Sequence, residues 1–282
     1  MPFSCEPFLL DGLACLRLND GDGATAVISL HGAHVLSWQP VPGRERLYLS
    51  PRASFANGAA IRGGIPVIFP QFAGRGPMIK HGFARLLPWR HIGIESDGGA
   101  PAAVFELVDD EQTRRHWPQH FRARLHVALS PRTLTARLSI RNEGDAPFSF
   151  TSALHTYLRV DDLRAVSLTG LEGSPFEDST RGGLHTAAEG NPVRFEAETD
   201  RIYPGVTGEL SLREGDDAIH IGAEGFRDTV VWNPGASLAA GIADLGAQEH
   251  LRFVCVESGT VVTPVVLPPG EEWSGMQQLQ AR

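Results

Sequence analysis

Two adjoining segments constrain the fold most. Phe121-Arg-Ala-Arg-Leu-His-Val-Ala-Leu129 alternates apolar and polar residues, and Thr133-Leu-Thr-Ala-Arg-Leu-Ser-Ile-Arg141 does so again. Neighbouring side chains of a strand point to opposite faces, so alternation marks a half-buried strand. Ser130-Pro131 between the two is a turn signal, and the pair reads as a hairpin. Further β-rich segments are Thr25–Leu30, Ala103–Val108, Ala218–Ile221, Thr229–Trp232, Leu251–Glu257 and Val261–Leu267. Residues 142–145 form a turn, after which Pro147 opens another strand. Only short helices are expected, over Asp110–His116 and near Leu245. Strands do not alternate with long amphipathic helices, which argues against a parallel α/β sheet. Many short strands between Gly and Pro turns predict an all-β fold, a sandwich or barrel.

The chain has 282 residues, 42% of them hydrophobic, enough for a large core. A length prior of roughly 150 residues per domain would give two domains, but all-β sandwiches reach about 250 residues as one. No linker, composition break or repeat divides the sequence, so one domain over residues 1–282 is expected. No apolar run reaches the ~18–20 residues that span a bilayer, and Met1–Leu10 lacks the layout of a signal peptide. Cys5, Cys15 and Cys255 fit neither a disulfide framework nor a zinc pattern. A reducing cytoplasm is the expected compartment. No long apolar segment calls for a partner subunit, so a monomer is expected.

The net charge of −8 argues against nucleic acid and anionic membrane as partners. The charge is unevenly spread. Between Glu45 and Glu95 no acidic residue occurs, while Arg46, Arg52, Arg62, Arg75, Lys80, Arg85 and Arg90 do. Such a stretch suits an anion site. It is equally compatible with chance, because the chain uses Arg for every base except Lys80.

Several residues could carry chemistry. Glu257 shares a strand face with Phe253 and Cys255 at the end of an apolar run. Desolvation there would make it a better base, although an ordinary solvated strand-end glutamate fits the same pattern. In Phe148–Arg159 an extended chain places Ser149, Thr151, Ala153, His155, Tyr157 and Arg159 on one face and Phe148, Phe150, Ser152 and Leu154 on the other. The first face suits sugar hydroxyls, or simply solvent. His155 is its one group able to exchange protons near neutrality. Gly63 and Gly64 could shape a backbone that carries Arg62 into a cavity, and Lys80-His-Gly-Phe-Ala-Arg85 adds further donors. Arginine forks match phosphate, but a charged surface loop is the plain alternative. His31 and His34 would point to opposite faces of a strand, so no metal site is expected. The P-loop, dinucleotide, HExxH and G-x-S-x-G patterns do not occur.

Taken in order, these segments resemble the glucose-6-phosphate 1-epimerase (hexose-6-phosphate mutarotase) family of the galactose mutarotase-like superfamily. The resemblance rests on Ile61-Arg-Gly-Gly-Ile-Pro66 with Phe69-Pro70, His81-Gly-Phe-Ala-Arg85 with Pro88-Trp89, Ala153-Leu-His-Thr-Tyr157 with Gly170-Leu-Glu-Gly173, Thr199-Asp-Arg-Ile-Tyr203, Val230-Val-Trp-Asn-Pro234 and Val254-Cys-Val-Glu257. It implies a large antiparallel β-sandwich, the galactose mutarotase-like supersandwich, with the sugar in a cleft on one sheet. It implies His155 as general acid and Glu257 as general base. His81, Arg62, Arg85 and Asp200 would contact the sugar and its phosphate, and Lys80 could add a phosphate contact. The chain departs from the family pattern at Lys80, Leu86 and Ser258-Gly259.

The activity so implied is interconversion of the α and β anomers of a hexose 6-phosphate by ring opening and closure, with no metal or organic cofactor. General acid–base catalysis contributes ~10²–10⁴-fold, which suits a reaction that already proceeds in water. His155 must start protonated, so a nearby carboxylate holding its pKa up is expected. Two alternatives stand beside it: an aldose 1-epimerase acting on free sugars, which has no need of the basic cluster, and a carbohydrate-binding domain, which has no need of the acid–base pair.

Overall fold

A computed structural model describes residues 3–187 and 189–282; Met1, Pro2 and Ala188 of the expected 1–282 unit lie outside the described residues. The N-terminal part forms β1 (Ser4–Leu10), β2 (Leu13–Asn19), β3 (Thr25–Ser29) and β4 (Val35–Gln39), followed by the short β5 (Val67–Ile68). Then come β6 (Arg90–Asp97), β7 (Ala100–Val108), β8 (Phe121–Ser130), β9 (Thr133–Asn142), β10 (Phe148–Leu154) and β11 (Tyr157–Arg159). The next strands are β12 (Val166–Thr169), β13 (Phe176–Asp178), β14 (Leu184–Thr186), β15 (Thr199–Pro204) and β16 (Leu210–Glu214). The chain ends with β17 (Asp217–Glu224), β18 (Asp228–Asn233), β19 (Phe253–Leu267) and β20 (Glu272–Ala281).

These strands make a four-stranded sheet, β1-β2-β3-β4, and two eight-stranded sheets. One runs β14-β13-β15-β18-β19-β10-β5, with β11 also paired to β19; the other runs β12-β16-β17-β20-β9-β8-β7-β6. Neighbouring strands pair antiparallel throughout, as in β8–β9, where Ser130 faces Thr133. The two large sheets bury one continuous apolar layer that includes Leu125, Leu138, Phe150, Val254, Val256 and Leu279. Phe69 meets Phe121, and Phe150 meets Trp273, edge to face across it. The architecture is the all-β sandwich that the alternating segments predict. No helix among the described residues is long and apolar enough to cross a membrane.

Three local expectations need correction. The helix near Leu245 does not form; α2 is a single turn at Gly235–Ala239, following α1 at Glu111–His116. Leu245 is buried in a turn between Asp244 and Gly246, residues that disfavour helix. Residues 251–257 and 261–267 are not separate strands but belong to one, β19, with Leu251-Arg252 in the preceding 3₁₀ turn. Gly259 reads as a break in sequence, but a Cβ there would sit 3.2 Å from the Ala153 Cβ and 2.8 Å from a Val261 methyl, so glycine admits β10 alongside. His31 and His34 occupy the turn between β3 and β4 rather than a strand, and their Nε2 atoms bond the Ala59 and Gly63 carbonyls.

Candidate active site

The site begins as a pattern on the sheet containing β19. Leu154 pairs with Ser258 and Tyr157 with Cys255 in one unbroken register, so His155 stands opposite Glu257. Across β19, Glu257 pairs with Val230, which pairs with Ile202. One step along, Tyr157 pairs with Cys255, Cys255 with Trp232, and Trp232 with Asp200. Residues two apart share a face, so both rows look into the same recess. Leu154, Thr156 and Leu158 turn the other way, into the sandwich. Glu257 thus lies mid-strand on the sheet, not at a solvated strand end.

Loops close the recess on one side. The Gln71 side chain accepts from the Met78 amide and donates to the Ala73 and Met78 carbonyls, pinning the loop after the cis Phe69-Pro70 bond. That loop brings Phe72, Arg75, Lys80 and His81 to the site. His81 has φ +68°, and a Cβ at Gly82 would lie 2.3 Å from the Phe69 carbonyl oxygen. Gly63 is under the same constraint, since a Cβ there would meet the Tyr48 carbonyl oxygen at 2.2 Å. This close approach delivers the neighbouring Arg62 to the rim.

The recess holds about 200 Å³ and is lined by all seven residues singled out in the sequence: Arg62, Lys80, His81, Arg85, His155, Asp200 and Glu257. It is smaller than the ~300–1,000 Å³ of drug-sized sites, a scale suited to a monosaccharide. Phe72, Ser179 and Trp232, to which the sequence assigns no role, also line it, as does Arg75 of the acid-free stretch. Trp232 lies inside Val230-Val-Trp-Asn-Pro234, where period two alone puts it on the face of Val230.

At the floor, His155 Nε2 and Glu257 Oε1 are 3.2 Å apart, with both side chains more than nine-tenths buried. The His155 ring stacks on Tyr157 with centroids 4.9 Å apart, and Trp232 meets it edge-on. Burial, then Asp200, raises the Glu257 carboxyl well above the usual range, against the pull of Arg85 and Lys80. Burial, with His81, Arg85 and Arg62, drives His155 well below the usual imidazole range. A carboxylate does touch His155, as expected, but low-dielectric surroundings favour the neutral form of each partner. The pair therefore shares one proton rather than resting as a fixed imidazolium.

Burial, helped by Arg85, Lys80 and Arg62, also lowers His81 to about 3. Its Nδ1 accepts from the Ala73 amide at 3.4 Å, so the neutral ring carries its proton on Nε2. His81 is therefore a hydrogen-bond donor and not a second acid. Burial also raises the Asp200 carboxyl.

The cations divide into two kinds. Arg62 binds Asp244 through Nε and Nη2, each at 3.1 Å, and donates from Nη1 to the Tyr157 hydroxyl at 3.1 Å. Arg75 is paired with Glu177 across the rim. Among the described residues neither Lys80 nor Arg85 forms an ion pair, and Arg85, which is half-buried, donates only to the Lys80 carbonyl.

A sequence profile of the aldose 1-epimerase family matches residues 14–280. The chain belongs to the aldose 1-epimerase family. Within it, a relative from Cenchrus ciliaris described as a "putative glucose-6-phosphate 1-epimerase" is 36% identical over 96% of this chain and 85% of its own length. One from Escherichia coli K12 with the same description is 35% identical over 83% of this chain and 79% of its own length. The crystal structure of a "putative mutarotase (YeaD)" from Salmonella typhimurium superposes with a TM-score of 0.89 at 29% identity, covering 98% of this chain and 93% of that one. These members agree with the resemblance read from the motifs. The fold is the galactose mutarotase-like sandwich.

Proposed function

We propose that this member of the family interconverts the α and β anomers of a hexose 6-phosphate, with D-glucose 6-phosphate as substrate. The observation that carries the proposal is a buried His155–Glu257 pair beneath a rim on which Lys80 and Arg85 lack acidic partners. The descriptions of the relatives support the same substrate class.

In the productive state the shared proton is on His155. Glu257 takes the proton of the C1 hydroxyl while His155 delivers its proton to the ring oxygen, and the C1–O5 bond breaks. The aldehyde turns about C1–C2. The O5 hydroxyl then attacks its other face, losing its proton to His155 as Glu257 returns one to O1. The opened state leaves Glu257 protonated and His155 neutral, the forms that burial favours, so the site stabilises the uphill side of the reaction. No step needs a metal or an organic cofactor.

Arg85, Lys80 and the outer face of Arg62 receive the phosphate in this scheme. Its negative charge offsets the cations that depress His155, which helps to charge the imidazole once substrate is bound. Asp200 accepts from sugar hydroxyls, and His81 donates to one through Nε2. A free sugar would leave Arg85 and Lys80 without a counter-charge. The three cysteines are free thiols, which supports a reducing cytoplasm as the compartment.

Magnetisation-exchange NMR between anomers tests the proposal. Acceleration with glucose 6-phosphate and little with glucose is expected. Equal acceleration of both sugars would point to a free-sugar epimerase, and acceleration of neither to a binding domain.

A further inference from the structure

The ladder beside the catalytic pair has a gap. In the register of β10, β11 and β19, Thr156 faces Val256 and should exchange two backbone hydrogen bonds with it. Only one forms: the Val256 amide donates to the Thr156 carbonyl at 3.1 Å. The Thr156 amide turns instead to the Leu154 carbonyl, at 3.0 Å, in a tight local bend around His155. The Val256 carbonyl is thereby released from the ladder in a fully buried setting.

Gln277 fills the gap from the opposite sheet. It lies on β20, is 1% exposed, and reaches across the sandwich. Its Nε2 donates to the Val256 carbonyl at 3.1 Å and to the Ser258 hydroxyl at 2.9 Å. Its Oε1 accepts from the Thr156 hydroxyl. One amide thus binds the residue following His155 and both residues that flank Glu257. Leaving that buried carbonyl and amide unmatched is costly, which makes the bend and Gln277 interdependent.

We propose that Gln277 is a positioning residue that sets His155 against Glu257 by holding the backbone bend at Thr156. Gln277 faces away from the recess and acts only through Thr156, Val256 and Ser258. The proposal rests on the acid–base role of His155 and Glu257 given above.

Gln277→Met, which keeps length without hydrogen bonds, and Thr156→Val, which removes only the hydroxyl, test it; Thr156→Ser restores that hydroxyl. A small misplacement of reacting groups can cost ~10²-fold in rate. Gln277→Met and Thr156→Val are expected to lower kcat about tenfold or more with KM within about threefold, and Thr156→Ser to recover most of the Thr156→Val loss. In ¹⁵N-histidine NMR of the free protein, the His155 ring signal, assigned by its absence in His155→Ala, should shift in both defective variants. A folded Gln277→Met protein with kcat within about twofold of wild type and an unmoved His155 signal would overturn the proposal. Should Gln277→Met not fold, Thr156→Val decides by the same criteria. Wild-type protein that fails to exchange anomers would refute the catalytic reading instead, and the His155 signal still judges the positioning.

Discussion

His155, in the short link between β10 and β11, stands opposite Glu257 of β19 in register, and the two meet at 3.2 Å in a setting that disfavours charge on either. Proximity of the two is built into the sheet and needs no substrate to assemble it. A carboxyl pushed up and an imidazole pushed down suit the proposed role, in which the pair passes a proton in both directions.

Removing either partner should stop the chemistry. Glu257→Gln and His155→Ala are each expected to slow anomer exchange of glucose 6-phosphate by about 10²-fold or more. Both should keep the β-rich circular dichroism spectrum. Retention of most activity by either folded variant contradicts the assignment.

The pH profile follows from the directions of the two shifts. The working state holds one proton on the pair. Acid adds a second, and because His155 is depressed this happens only well below the ordinary imidazole range. Alkali removes the single proton, and because Glu257 is raised this happens only well above the ordinary carboxyl range. Exchange rates should therefore form a bell with a broad plateau, its limbs belonging to the pair. A rate that follows one titration at the ordinary imidazole pKa argues against the shared proton.

Arg62 and Arg85 should behave differently. Arg85 has no acidic partner among the described residues, and a lost charge-assisted hydrogen bond costs about 1.5–3 kcal/mol. Arg85→Ala is accordingly expected to raise KM for glucose 6-phosphate about tenfold or more and to narrow the preference for the phosphate ester over glucose. Arg62 also holds the Tyr157 hydroxyl, and Tyr157 supports the His155 ring. Arg62→Ala should lower kcat as well as raise KM. Unchanged selectivity for the phosphate ester in both variants would remove the phosphate role.

Much of this site was legible because strands encode it with period two. The alternation that puts Ala153, His155 and Tyr157 on one face, and Cys255 and Glu257 on another, needs only the sequence. The order of the motifs then implies the roles proposed for them. What periodicity cannot supply is contact across distant loops. Asp244 reaches Arg62 over 182 residues of sequence separation, and Glu177 reaches Arg75 over 102. Gln277 was invisible for another reason: it sits on an ordinary alternating strand, and its partner is a carbonyl freed by a bend no residue pattern announces. The neutral preference of His155 was missed likewise, since burial is a property of the packed recess.

The Gly63 shelf that presents Arg62 depends on a second histidine, which makes acid a specific threat to it. His34 is fully buried, and its Nε2 donates to the Gly63 carbonyl at 2.6 Å. Its Nδ1 has no hydrogen-bond partner among the described residues, so protonation would place an unsolvated charge there. Burial lowers its pKa from 6.5 to about 3, with neighbouring His31 and Arg85 adding to the effect and the Gly63 carbonyl opposing it. The unfolded chain therefore binds a proton that the folded chain refuses between those values. Stability from this group is fully present above about 6.5 and is lost as pH falls toward 3, at up to about 1.4 kcal/mol per pH unit. His81, also near 3, adds a loss of the same sign. Urea midpoints measured from pH 7 to pH 4 should fall steadily. In His34→Gln, whose amide can still donate to the Gly63 carbonyl, the fall should be shallower even if stability at pH 7 is lower. Parallel pH dependences in the two proteins would show that His34 carries no such linkage.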